Sequence, residues 1–276
     1  MTVLQKRFLF GTAILAVFFG IIFLDYIFDS AIGLGFLGIL AGGIGLLEFY
    51  NLAEKKDFEP FKISGVISGV IVFIGFWLSA CGEGINRIYP GIFVFIILWL
   101  FGVQALKHDP KGTIKNVSIT IFGIIYTLFF LSFIMPIRYM SNGLGIILLV
   151  LLITKGGDIG AYFFGRKFGK HKLSSFSPNK TIEGAIFGLF CSLIIAIGLN
   201  ILPGIRILPL YLIIPFGLLI GVSGMCGDLM ESVMKRDADA KDSSSTIPAF
   251  GGVLDILDSL LISIPVAYCF LVIIGY

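Results

Sequence analysis

Apolar residues in this chain do not recur at the spacing of a half-buried helix or an alternating strand; they run on unbroken. Such runs lie at about 8–24, 31–49, 63–81, 90–106, 116–136, 143–164, 182–203, 208–232 and 253–275, separated by short polar segments. A helix needs roughly 20 predominantly apolar residues to cross the hydrocarbon of a bilayer, and it must satisfy its backbone hydrogen bonds internally. The pattern therefore predicts an all-α, polytopic integral membrane protein with about nine transmembrane helices. The runs take up most of the 276 residues and leave no length for a separate water-soluble domain, so one membrane domain over 1–276 is expected. Within it, the helices of 1–142 are assigned to packing, oligomer contacts or lipid, and 143–276 to a catalytic core, because the polar chemistry is gathered there. Any active site has to be built from helix ends and short loops.

Composition sharpens this. The chain is 57% apolar and only 13% charged, against about 25% charged in an ordinary soluble domain. Its net charge of +3 comes from dispersed bases without interleaved aromatics, which argues against nucleic acid as a partner. The first run follows Met1–Arg7 and continues into Asp25-Tyr26 without a small-residue cleavage site, so a retained first span is expected rather than a cleaved signal peptide. Cys81, Cys191, Cys226 and Cys269 lie far apart, with no metal or redox spacing, and read as small packing residues.

Charge also orients the chain. With the N-terminus in the cytoplasm, sixteen of the 20 bases share that side: Lys6 and Arg7; Lys55, Lys56 and Lys62; Lys107, Lys111 and Lys115; Arg166, Lys167, Lys170, Lys172 and Lys180; and Lys235, Arg236 and Lys241. Arg87, Arg138 and Arg206 fall opposite, and Lys155 lies inside a run. Cytoplasmic loops are the ones enriched in Lys and Arg, so the C-terminus is expected outside and the polar loops 165–181 and 233–252 both inside.

Three motifs are set aside. Gly33-Leu-Gly35-Phe-Leu-Gly38 has the dinucleotide-binding glycine spacing but lies inside an apolar run with no preceding strand, so close helix packing is expected. The stretch Gly160 to Lys167 lacks the Lys-Ser/Thr ending of a P-loop. Asn116-Val-Ser118 fits a glycosylation acceptor but falls on the expected cytoplasmic side.

Chemistry concentrates in two stretches. In Lys155-Gly156-Gly157-Asp158 the two charged residues are three apart, which allows a neutralising pair, and the glycines are expected to loosen the helix. The following loop, with Gly165-Arg166-Lys167, Ser174-Ser175-Phe176-Ser177-Pro178-Asn179-Lys180-Thr181, is basic and rich in hydroxyls. It suits phosphates, although a cytoplasmic basic loop has the same composition. Further on, Asp228 and Glu231 share a helix face, as do Asp255 and Asp258. Two like-charged pairs on neighbouring apolar helices repel unless a cation lies among them, and magnesium takes one or two carboxylates plus phosphate oxygens. Between the pairs lie Lys235, Arg236, Lys241 and Ser243 to Thr246, while Gly251-Gly252 precede a helix N-terminus that favours an anion. Carboxylates for metal and bases for phosphate point to phosphoryl or nucleotidyl transfer. Structural salt bridges, or a transported cation, would use the same residues.

In chain order, Ser232-Val-Met234-Lys235-Arg236, Lys241-Asp242, Ser244, Ile247-Pro248, Phe250-Gly251-Gly252 and Asp255-Ile256-Leu257-Asp258 resemble the signature of the phosphatidate cytidylyltransferases, the CDP-diacylglycerol synthases. Gly227-Asp228 also fits, and Asp158 to Gly169 with Ser177 to Gly184 resembles that family's second polar region. Phe250 stands where a His is common and Ile256 where an Arg is common, so no obligatory base is expected at 250. The resemblance implies CTP and phosphatidic acid as substrates, with CDP-diacylglycerol and pyrophosphate as products. It implies catalytic roles for Asp228, Asp255, Asp258 and Lys241, with the three aspartates holding Mg²⁺ and a monovalent cation such as K⁺ beside it. Lys235, Arg236, Lys241 and Lys180 would neutralise the triphosphate, Asp242 would orient Lys241, and Asp158, Ser177, Asn179, Ser243 and Ser244 would complete substrate binding. The implied location is the inner (cytoplasmic) membrane with the site facing the cytoplasm, among membrane lipids; a homodimer is compatible with the sequence. A CTP-dependent kinase or cytidylyltransferase of another lipid, such as a polyprenol or ether lipid, and an inactive relative remain open beside this reading.

Overall fold

The computed structural model describes residues 3–82, 89–106, 110–174, 177, 179–202, 207–248 and 250–276. Arg87, Lys107, Ser175, Phe176, Pro178 and Arg206, used above, lie outside the described residues. Helices stand at all nine expected places: α1 Val3–Ile27, α2 Ile32–Glu54, α3 Lys62–Cys81, α4 Tyr89–Leu106, α5 Thr113–Arg138, α6 Gly143–Phe168, α7 Ile182–Ile201, α8 Leu210–Asp237 and α9 Val253–Ile273. Among the described residues, eight of these helices are long and apolar enough to cross a membrane, and α4 adds the apolar stretch Gly91–Leu106. Among the described residues there are no strands; the only ladder contacts are the isolated bridges Lys172 with Thr181 and Ile247 with Gly251. The protein is an all-α polytopic membrane protein.

The chain forms two compact units, one of Met1–Pro136 with Asp237–Leu257, the other of Ile137–Arg236 with Asp258–Tyr276. The grouping follows contact rather than chain order: the polar loop after α8 and the first turn of α9 belong with the N-terminal helices.

In the first unit, α2 starts where it does because Asp25, 2% exposed, accepts hydrogen bonds from Gly33 N at 3.0 Å, Leu34 N at 2.8 Å and the Ser30 hydroxyl. These are amides of the first helical turn that have no partner inside the helix. The glycines of the 33–38 motif bring helices together, as expected: a Cβ on Gly35 would strike the Trp77 ring and one on Gly38 the Phe73 ring, both on α3. The middle of α5 is a π-helical turn over Ile125–Phe129. Below it, Asn116 is 5% exposed and its side-chain oxygen accepts from Glu59 N at 3.1 Å. That buried amide accounts for the Asn116 motif better than glycosylation does.

In the second unit, α6 and α7 pack through small residues. A Cβ on Gly157 would collide with the Ser192 hydroxyl, one on Gly160 would lie 2.5 Å from Cys191 Sγ, and one on Gly188 would lie 2.8 Å from Ala161 Cβ. Ser192 Oγ donates to Ile153 O at 3.0 Å across the same seam. The Gly156-Gly157 pair, expected to loosen the helix, does not interrupt α6; packing against α7 replaces the side chains those residues lack. The failed P-loop is part of the same seam. Cys81, Cys191, Cys226 and Cys269 form no disulfide.

Candidate active site

In the second unit, three carboxylates converge. Asp228, Glu231 and Asp258 each place one oxygen within 4.8 Å of the others. One turn of α8 carries the first two, and Gly227 lets α9 approach: a Cβ there would lie 3.1 Å from Ser259 Cα and closer still to Asp258 O. Glu231 is fully buried and Asp258 is 8% exposed. Each acid has an ammonium beside it. Lys180 pairs with Asp228, Lys235 pairs with Glu231 at i,i+4, and Lys155 Nζ lies 3.5 Å from Asp258. Lys155 also lies 3.8 Å from Asp158 and donates to Ser259 Oγ at 2.8 Å. The expected Lys155–Asp158 pair is thus one edge of a larger network of four acids and three lysines.

The loop before α7 delivers Lys180. Glu183, in the first turn of α7, accepts from Lys170 N at 3.0 Å, from His171 N at 3.2 Å and contacts His171 Nδ1 at 2.6 Å. Leu173 N donates to Lys180 O at 2.8 Å, and Lys180 N donates to Ser177 O at 3.0 Å. The Ser177 amide bonds Ser174 Oγ at 3.2 Å, and the Asn179 side chain is exposed.

In the first unit, the signature loop is ordered around two carboxylates. Asp255 Oδ2 accepts from Ser243 N at 2.9 Å, Ser243 Oγ at 2.7 Å and Gly252 N at 2.7 Å. Glu48 of α2 accepts from Ser244 Oγ at 2.6 Å and Leu254 N at 2.8 Å, with Ser243 Oγ at 3.2 Å. Two amides at the start of α9, expected to favour a phosphate, are therefore held by carboxylates of the chain itself. Gly251 has φ of 101°, a conformation that suits glycine. Lys241 and Asp242 are exposed on this loop. Phe250, where a His is common, has its ring against α1: a Cβ on Gly11 would lie 3.1 Å from Phe250 Cζ.

Residues 5–274 match the Cytidylyltransferase family. The chain belongs to that family. It is 31% identical to a phosphatidate cytidylyltransferase of Chlamydia pneumoniae over 259 residues, 88% of this chain and 84% of the relative. It is 31% identical to a phosphatidate cytidylyltransferase of Staphylococcus saprophyticus over 255 residues, 92% of this chain and 94% of the relative. An uncharacterised Escherichia coli protein, YnbB, is 37% identical over 174 residues, 61% of this chain and 58% of the relative. The family's chemistry is nucleotidyl transfer.

For a cytidylyltransferase, the residues expected from sequence divide by contact. Asp158, Lys180, Asp228, Lys235 and Asp258 join one network, with Arg236 exposed at the end of α8. Ser243, Ser244 and Asp255 join the other, where they bond to one another or to Glu48. Of the expected metal set, Asp228 and Asp258 lie in the carboxylate cluster, which also includes Glu231; the Asp255 bonds given above are to its own loop. Sequence reasoning recognised Glu231 only as a helix-face neighbour of Asp228 and passed over Glu48 entirely. A signal for Glu48 existed: an ionisable residue in an apolar run is a functional candidate by default. Glu48 lies at the edge of the 31–49 run.

Proposed function

We propose that this cytidylyltransferase uses phosphatidic acid as acceptor, converting CTP and phosphatidate to CDP-diacylglycerol and pyrophosphate at the cytoplasmic face of the inner membrane. The observation that carries the reading is the Asp228, Glu231 and Asp258 cluster with lysines around it, in a chain of this family. The names of the relatives in Chlamydia and Staphylococcus support phosphatidate as the acceptor.

The donor set fits a hard divalent cation: all three ligand atoms are carboxylate oxygens, with no soft ligand among them. Oxygens around one magnesium ion at ~2.0–2.1 Å lie at most about 4.2 Å apart, and the three oxygens here all lie within 4.8 Å of one another. Asp228, Asp258 and Glu231 would hold Mg²⁺, with a monovalent cation such as K⁺ as a second ion. Bound there, Mg²⁺ supplies charge neutralisation on phosphate oxygens.

In the reaction, an oxygen of the lipid phosphate forms a bond to the α-phosphorus of CTP while the bond from that phosphorus to the β-bridging oxygen breaks. The electron pair leaves with pyrophosphate. A phosphate monoester is already anionic near neutral pH, so the missing His at 250 removes nothing the step requires. Lys155, Lys180 and Lys235 are held by acids that fix their ammonium groups in place, which lets them neutralise phosphate charge without reorganisation. Lys241 would neutralise the departing pyrophosphate, and Arg236 the triphosphate. The acyl chains stay in the bilayer, which accounts for a nucleotide enzyme made mostly of apolar helices.

Product analysis tests the reading. Purified protein supplied with CTP, Mg²⁺ and a panel of phosphatidate, polyprenol, polyprenyl phosphate and ether lipids should release pyrophosphate with phosphatidate, and chelation of the metal should stop it. Release of CDP would identify a kinase instead. Pyrophosphate release with another lipid alone would reassign the acceptor.

A further inference from the structure

Glu48 is the buried charged residue of α2, 3% exposed, and the reaction described above does not use it. An ionised carboxylate in an apolar helix costs several kcal/mol unless hydrogen-bond donors surround it. Its donors come from a segment about two hundred positions away. Leu254 N donates to Oε2 at 2.8 Å, Ser244 Oγ donates to Oε1 at 2.6 Å, and Ser243 Oγ lies 3.2 Å from Oε2. Ser243 has one hydroxyl hydrogen, and its shorter contact is to Asp255, at 2.7 Å.

The position of these donors gives Glu48 a specific task. Taking Gly252 as the residue that caps α9, Leu254 and Asp255 are its second and third helical residues. Asp255 reaches back to Gly252 N, which is one half of a capping box. The other half normally comes from a Ser, Thr, Asp or Asn at the cap, whose side chain accepts an amide of the first turn. Glycine has no such side chain, and Glu48 accepts the Leu254 amide in its place. A larger residue at 252 would collide with the group that substitutes for it: a Cβ there would overlap Ser243 Oγ and Glu48 Oε2 and lie 2.7 Å from Glu48 Cδ.

We propose that Glu48 is a positioning residue for the transfer: by capping α9 through the Leu254 amide and tying down Ser244, it fixes the segment that carries Lys241 and Asp255. The proposal rests on the cytidylyl-transfer reading for its kinetic consequence, but not for its structural one.

Glu48→Gln is the discriminating variant, because it keeps the shape of the side chain and turns one acceptor oxygen into an NH₂ donor facing another donor. Amide hydrogen exchange in 241–255 should rise about tenfold or more, since loop protection reports local opening, while exchange in α3 and α7 stays at the native rate. In the activity assay, the KM for CTP should rise about tenfold or more, as expected when a loop bearing a phosphate-neutralising group is misplaced by roughly an ångström. The KM for phosphatidate should not change. A general loss of folded protein would instead lower kcat and leave both KM values alone, and that outcome overturns the proposal, as does native exchange in 241–255. Ser244→Ala should produce part of the same exchange change, and combining it with Glu48→Gln should give less than the sum, because the two groups share one bond; full additivity would overturn the link through Ser244. If native protein shows no activity with CTP and phosphatidate, the functional reading fails while the exchange experiment still decides the role of Glu48.

Discussion

Lys155 shows how single residues set the electrostatics of the acidic cluster. Its ammonium sits 3.5 Å from the buried Asp258 and 3.8 Å from Asp158, and Lys155 and Asp158 are themselves partly exposed, so the attraction is below that of a dry interior. Any divalent cation bound by Asp258 shares its field with this lysine. Replacing it should therefore have two effects of opposite sign. Lys155→Met should lower the Mg²⁺ concentration needed for half-maximal activity by about threefold or more, because a like charge has been removed from beside the site. It should also lower kcat, because a group placed to neutralise phosphate has gone. Magnesium titrations of the rate measure both at once, and a raised Mg²⁺ requirement would contradict the assignment of Asp258 as a ligand. At this scale the sequence was legible wherever a residue announced itself by an unusual setting: Lys155 and Asp158 inside an apolar run, Asp228 with Glu231 and Asp255 with Asp258 at helical spacing. Asp25 and Glu48 were not legible, because an acid at the edge of a run looks the same whether it meets water or receives buried amides.

At the scale of elements, the second unit depends on how closely α6 and α7 can approach. Gly188 is one contact point, where a Cβ would lie 2.8 Å from Ala161 Cβ and 2.9 Å from Gly157 O. Gly198, on the same helix, has nothing within 4 Å of an added Cβ. Gly188→Ala should therefore destabilise by about 1–3 kcal/mol, the usual cost of overpacking, and should lower the thermal unfolding temperature in detergent. Gly198→Ala should leave it unchanged or raise it slightly, since alanine is the better helix former; equal effects would contradict the packing described. The positions of the helices were legible because the thickness of the bilayer fixes how long an apolar run must be. Their ends were less so. The run at 208–232 becomes a helix reaching Asp237, and that at 143–164 continues to Phe168, because a helix already nucleated and packed extends through polar residues that hydropathy marks as loop. The functions of the glycines depended on partners across the seam, which a run of hydropathy does not name.

For the whole molecule, the division of the chain at residue 142 into packing helices and a catalytic core differs from the grouping by contact. Asp237–Leu257, which holds Lys241, Asp242 and Asp255, belongs with residues 1–136. The link runs through Glu48, and pairings across nearly two hundred residues leave no periodic trace in a sequence. The motif order was nonetheless readable, and it led to the Cytidylyltransferase family, which matches residues 5–274. The most direct test of the account is the rate of CTP- and Mg²⁺-dependent pyrophosphate release with phosphatidate, compared between native protein and Asp258→Asn at matched amounts of monodisperse protein. The account predicts a loss of about a hundredfold or more, the scale expected when charge stabilisation of the transition state is removed. A native rate in the variant would contradict it.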